Sequence, residues 1–181
     1  MYGGAKSMGG SSGNAINGIS QNNSNRLYYI NQQIRSFKTM AKRQREKLGN
    51  IYAIPLPDGT FAFGRLYRER LAIAKERAND MNDIPDFKNI DFYVGVYKDV
   101  LSDGVWPKVG NIPFDNDEDA WTPQTFIEDI LKPGNFEIYY RGKIKKATKE
   151  ECLGLEITAV WDREHVVDRL MGINTWTKIC K

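Results

Sequence analysis

The sequence predicts an α+β fold: a small, strongly curved antiparallel sheet or open barrel, with a basic helix at its N-terminal end and a helix at its C-terminal end. Three observations carry this expectation. Short runs of alternating or β-branched and aromatic residues recur at 51–56, 61–65, 90–100, 136–142 and 155–161. Gly-, Pro- and Asp-containing turns separate them, and Gly bends let short strands curve. Helical spacing of apolar residues is confined to the two ends, at 26–48 and 163–171.

The chain has 181 residues, 41% hydrophobic and 12% aromatic, enough for one domain with a real core plus appendages. Its formal charge of +3 conceals an asymmetry. Residues 1–48 hold eight Lys or Arg against the single acid Glu46, giving +7, whereas residues 49–181 hold 18 basic and 22 acidic residues, giving −4. A basic arm therefore precedes a mildly acidic domain.

Within that arm, residues 1–25 are expected to be disordered: between 3 and 25, sixteen of twenty-three residues are Gly, Ser or Asn, too little apolar surface to offset the entropy of ordering. Residues 26–48 read as an amphipathic helix, with Leu27, Ile30, Ile34, Phe37 and Ala41 on one side and Arg35, Lys38, Lys42 and Arg43 on the other. Asn25 is placed to cap its start and Gly49 to end it. Its charge raises the possibility of a nucleic-acid or surface contact. A solvated face on a helix docked to the domain is the favoured reading, since no groove-reading motif accompanies it.

The first hairpin, "IYAIPLPDGTFAFGR", turns through Leu56-Pro57-Asp58-Gly59-Thr60, where Pro57 presets φ and Gly59 takes the left-handed conformation. Tyr52, Ile54 and Leu56 share one face, and Phe61 and Phe63 share a face of the return. Because Pro55 and Pro57 cannot donate to a ladder, the first strand is expected at an edge, or paired only along its earlier half. Residues 66–75 fit strand or helix equally. In "IDFYVGVYKDV" Phe92, Val94 and Val96 face one way, and Tyr93, Gly95 and Tyr97 the other. A Ser-Asp-Gly turn, Trp106-Pro107 and a short strand around Val109 follow. "FEIYYRG" returns at Gly142 into "KIKKAT", and "LEITAVW" (155–161) is the last strong strand expected. The final helix starts at the N-cap Asp162, with Trp161 and Val166 placed as a hydrophobic staple. Val166, Val167, Leu170 and Met171 form its inner face, and Gly172 ends it.

The sequence offers little chemistry. Cys152 and Cys180 have neither metal-type spacing nor the look of a disulfide framework. With no apolar stretch long enough for a membrane span and no signal-peptide pattern, a reducing, cytoplasmic setting is expected. His165 is the one histidine; a nucleophilic pair with Cys152, oriented by Glu164 or Asp162, would need the fold to join them, and no hydrolase motif supports it. The loop "FDNDEDAW" opens like a calcium-binding loop, but Ala120 and Phe126 stand where Gly and Glu are required. Asp115, Asp117, Glu118 and Asp119, beside Trp121, are then either a solvated loop or a contact for a basic partner. No catalytic residue, metal or cofactor is expected.

"GNIYAIPLPDGTFAFGRL" (49–66), "LSDGVWPKVGNIPF" (101–114) and "ECLGLEITAVWDREHVVDRLMG" (151–172) together resemble the immunity protein 26 family of bacterial polymorphic toxin systems. The likeness spans about residues 47–172, so the chain divides into the arm 1–25, the basic segment 26–48, an immunity-type domain 49–172 and a tail 173–181. The resemblance implies a cytoplasmic protein that binds and neutralises a cognate toxin, a nuclease among the candidates, and it supplies no catalytic residues. Under it, Trp106, Trp161, Asp162, His165 and Arg169 maintain the fold. Asp115, Asp117, Glu118, Asp119 and Trp121 are the expected partner-binding residues, with neither nucleic acid nor membrane as partner.

Overall fold

A computed structural model describes residues 43–173 and 179–181. They form a mixed α+β structure of nine strands and three short helices. The strands build two sheets, neither closed into a barrel, in place of the single curved sheet or open barrel expected from sequence. β1 (Asn50–Pro55), β2 (Phe61–Leu66), β3 (Leu71–Ala74), β4 (Ile90–Val96), β5 (Lys108–Asn111) and β9 (Val160–Trp161) form the larger sheet, ordered β5-β1-β2-β3-β4-β9. β6 (Thr125–Glu128), β7 (Phe136–Tyr140) and β8 (Lys143–Ala147) form the smaller. The larger sheet is not wholly antiparallel, because β9 joins β4 in parallel through Gly95–Val160 and Val96–Trp161.

β1 lies inside the sheet, not at its edge. It pairs with β2 from Ile51–Arg65 to Pro55–Phe61, but with β5 only at Asn50, Ile51 and Tyr52. Ala53 N–H then bonds the Pro107 carbonyl, so the missing donor of Pro55 falls where the second ladder has ended. The turn closes through Gly59 N–H to Leu56 O and Leu56 N–H to Thr60 O. Asp58 accepts from both the backbone N–H and the hydroxyl of Thr60, the latter at 2.7 Å, and chiefly this hydroxyl bond holds its carboxyl below the usual range. That contribution is present at neutral pH and fades as pH falls through the folded-state value. Gly59 sits at φ +86° with open space where a Cβ would stand. Gly59→Val is therefore expected to cost about 1–2 kcal/mol from backbone conformation alone, read as a lowered thermal midpoint.

Alternation along β1 divides the core. Tyr52, Ile54 and Leu56 join Ala62, Ile73, Phe92, Val94, Trp106 and Trp161 on one face of the sheet. Ile51 and Ala53 join Phe63, Ala74 and Phe87 on the other. The segment after β3 covers this second face with Ala78, Met81, Ile84 and Phe87. A sheet covered on both sides explains why Ile51–Ile54 is buried without interruption.

On the first face lie α1 (Lys98–Ser102), through Val100 and Leu101, and α3 (Arg163–Leu170), through Val166, Val167 and Leu170. Asp162 is the N-cap of α3 by position, but its side chain makes no capping bond; it lies 4.0 Å from His165 Nδ1. At the other end Gly172 N–H bonds Arg169 O and Ile173 N–H bonds Asp168 O, a Schellman closure. α2 (Lys149–Cys152) carries a capping box between Thr148 and Glu151.

The stretch 155–161 is not one continuous strand. Its first part bridges the small sheet, with Phe126 N–H to Glu156 O and Thr158 N–H to Phe126 O, and its last two residues enter the large one. It crosses between sheets, so neither can claim its whole length. The Arg169 guanidinium grips Glu156 through two bonds (2.5 and 2.8 Å) and lies 3.8 Å over the Phe92 ring, fixing the crossover to both α3 and β4. Arg70, buried at the start of β3, donates to Thr125 Oγ1 at 2.8 Å and ties the two sheets again.

At the N-terminal side, residues 1–42 lie outside the described residues, and with them the arm expected to be disordered and most of the expected helix. Residues 43–47 are not helical; the sheet captures this segment instead. Gln44 N–H bonds Ser102 O, its side-chain amide donates to Trp106 O, and its Oε1 accepts from Lys108 N–H. Residues 179–181, assigned from sequence to a tail, return to the small sheet: Ile179 bridges Glu156, and Cys180 is buried.

Candidate partner-binding surface

The acidic loop connects β5 to β6, and both its ends are pinned by arginines the sequence reading did not connect to it. At the start, Arg65 on β2 donates to the carbonyls of Ile112 and Pro113 and lies 3.9 Å over the Phe114 ring. Phe114 in turn packs edge-on against Tyr67 at 4.7 Å. Within the loop, Asn116 Oδ1 accepts from the N–H groups of Glu118 and Asp119, and its amide donates to Asp119 at 2.7 Å. This is the local chemistry of an Asx turn. At the end, Arg68 N–H bonds Ala120 O, and Trp121 N–H bonds Glu118 O.

Trp121 is the mount. The guanidinium carbons of Arg68, in the β2–β3 turn, and Arg141, in the β7–β8 turn, each lie 5.1 Å from its ring centroid. Both arginines then reach the loop: Arg68 bonds Asp117 at 2.9 Å and Arg141 bonds Glu118 at 2.6 Å. The Glu118 hydrogen bond raises the Arg141 pKa further, so that guanidinium stays charged. Arg141 has φ +53° and lies 4.8 Å over its neighbour Tyr140, so the turn conformation itself aims it at the loop.

The structure thus brings Asp115, Asp117, Glu118 and Asp119 together on one exposed turn, with Trp121 half-buried beneath. Two of the four carboxylates face an arginine, leaving a residual negative balance of two charges. The Asp117 and Glu118 side chains remain 89% and 72% exposed, and ion pairs in water of this kind are worth at most about 1 kcal/mol. Such bonds yield readily to an incoming cation. Sequence reasoning missed Arg65, Arg68 and Arg141 because they lie on other hairpins, and no local spacing joins them to residues 115–119.

The other sequence candidates sit elsewhere. His165 stacks edge-on against Trp161 at 6.4 Å at the start of α3. Cys152 is fully buried in a separate cluster with Phe126, Ile138 and Cys180, and burial pushes its thiol pKa up, opposite to what a nucleophile needs. Among the described residues no three His, Cys, Asp or Glu side chains are grouped to hold a metal ion, and no helix is long and apolar enough to cross a membrane. No protein-family model, curated protein or solved structure matches the chain.

Proposed function

We propose that this chain is an immunity-type protein that binds and neutralises a cognate bacterial toxin domain without catalysis, using the acidic loop at 115–119 and Trp121 as part of its contact. The observation that carries the reading is the mounting of that loop: four exposed carboxylates, three of them partnered by Arg68, Arg141 or Asn116, beside an arginine-flanked tryptophan. A preordered acidic surface suits the basic cleft of a toxin that attacks nucleic acid, because opposite charge speeds encounter and a rigid loop loses little entropy on binding. The sequence resemblance supplies the biological setting.

The test is kinetic. Replacing Asp117, Glu118 and Asp119 together by Lys is expected to slow association with the toxin by about tenfold or more at low salt, with a smaller effect at high salt. Trp121→Ala is expected instead to raise the dissociation rate, because it removes both the anchor and the platform on which Arg68 and Arg141 rest. Thermal midpoints of the charge-reversed variant serve as the folding control. Unaltered kinetics at low ionic strength, with folding intact, would assign the loop to a solvated face.

A further inference from the structure

Cys152 and Cys180 are the only cysteines in the chain. Both are free and buried, and both lie in one small apolar cluster with Phe126 and Ile138. The backbone around Cys180 is fastened immediately after Cys152: Gly154 N–H bonds Cys180 O at 2.9 Å, and Cys180 N–H bonds Leu155 O at 3.1 Å. Its thiol reaches in the opposite direction, to the Lys149 carbonyl at 3.9 Å, one helical turn before Cys152 in α2. Cys180 is therefore held on both sides of Cys152, by its main chain and by its sulfur. Cys180 is also a cause of the raised Cys152 pKa, second only to burial.

We infer that Cys152 and Cys180 form a reversible dithiol–disulfide site that fastens residues 179–181 to the small sheet, with a low-molecular-weight disulfide as oxidant. Local opening makes the site reachable, because Ile179 and Lys181 on either side of Cys180 are both exposed. In the opened state the Cys180 thiolate attacks one sulfur of the small disulfide, breaking its S–S bond, releasing one small thiol and leaving a mixed disulfide on Cys180. As the segment returns, before burial is restored, the Cys152 thiolate attacks the Cys180 sulfur and expels the second small thiol. The two cysteine protons leave with the two released thiols, the protein is oxidised by two electrons, and the small disulfide is reduced by two. Cys152 is the resolving thiol because it is the more deeply buried of the pair, at 0% exposure against 8% for Cys180.

The test uses the full chain in buffers of graded reduced and oxidised glutathione, quenched with acid and read by mass spectrometry and by thiol counting after denaturation. The expected product has lost both thiols together, weighs two hydrogens less, keeps no glutathione adduct and is monomeric in non-reducing electrophoresis. Cys152→Ser should instead trap one glutathione on Cys180. Cys180→Ser should leave Cys152 largely unmodified while the protein is folded. A wild-type product that keeps a glutathione adduct, forms a covalent dimer or retains both thiols in the most oxidising buffer overturns the inference. Glutathione on Cys152 in the folded Cys180→Ser protein overturns the order of attack.

Discussion

Trp161→Ala is expected to destabilise the protein by roughly 3–5 kcal/mol, the range for removing a buried tryptophan from a packed core. Trp161 is only 7% exposed and shares its cluster with Phe92, Val94, Val166 and Leu170. It is also half of β9, paired in parallel with Val96, and it precedes the N-cap of α3. Truncation thus opens a cavity where the crossover enters the large sheet and the last helix begins. Chemical denaturation should show a lowered midpoint, with Trp161→Phe recovering much of the loss because a ring still fills part of the space. A change within about 0.5 kcal/mol would remove Trp161 from the core.

Gly49→Ala is expected to cost about 2–5 kcal/mol, from the left-handed conformation and overpacking together, although it adds a single methyl group. Gly49 has φ +82°, and a Cβ there would stand 2.2 Å from the carbonyl oxygen of Ile112 and 2.9 Å from its carbon. Those are backbone atoms, and they cannot swing aside: Ile112 N–H bonds Gly49 O at 2.9 Å while Gly49 N–H bonds Leu66 O at 2.8 Å. The substitution must separate the start of β1 from β5. Gly59 provides the internal comparison, with nearly the same φ and nothing within 4 Å of its Cβ position. Gly59→Ala should therefore lose only about 1 kcal/mol, the cost of the left-handed conformation itself. Equal losses at the two glycines would contradict the close approach.

Local chemistry made much of the fold legible in the sequence. The β1–β2 hairpin, β4 with Phe92, Val94 and Val96 on one face, the β7–β8 return and the inner face of α3 all follow from turn residues and periodicity. What escaped depends on distant partners. Pro55 argued for an edge strand or for pairing along the earlier half alone, and the second holds against β5, which pairs only with Asn50, Ile51 and Tyr52. Residues 155–161 look like one strand, but Arg169 and the two sheets divide the segment. The spacing that predicted a helix through residue 48 gave way over 43–47, where Gln44 finds backbone partners at Ser102, Trp106 and Lys108. The Thr148–Glu151 capping box is a local signal that marks α2. For the candidate site, the carboxylates and Trp121 were visible as a run, whereas the arginines that organise them lie on hairpins dozens of residues away. The small sheet's β6 is likewise short and flanked by loop residues, and it becomes a strand through pairing with β7.

The proposed function is stoichiometric inhibition by binding, and a titration measures it. The chain would be added to a purified candidate toxin domain, sought among the genes beside its own, and that domain's activity followed. The expected result is a linear fall to zero at one equivalent, with a complex of equal proportions in size-exclusion chromatography and no chemical change in either protein. Full toxin activity in the presence of excess folded chain, with no complex formed, would contradict the claim.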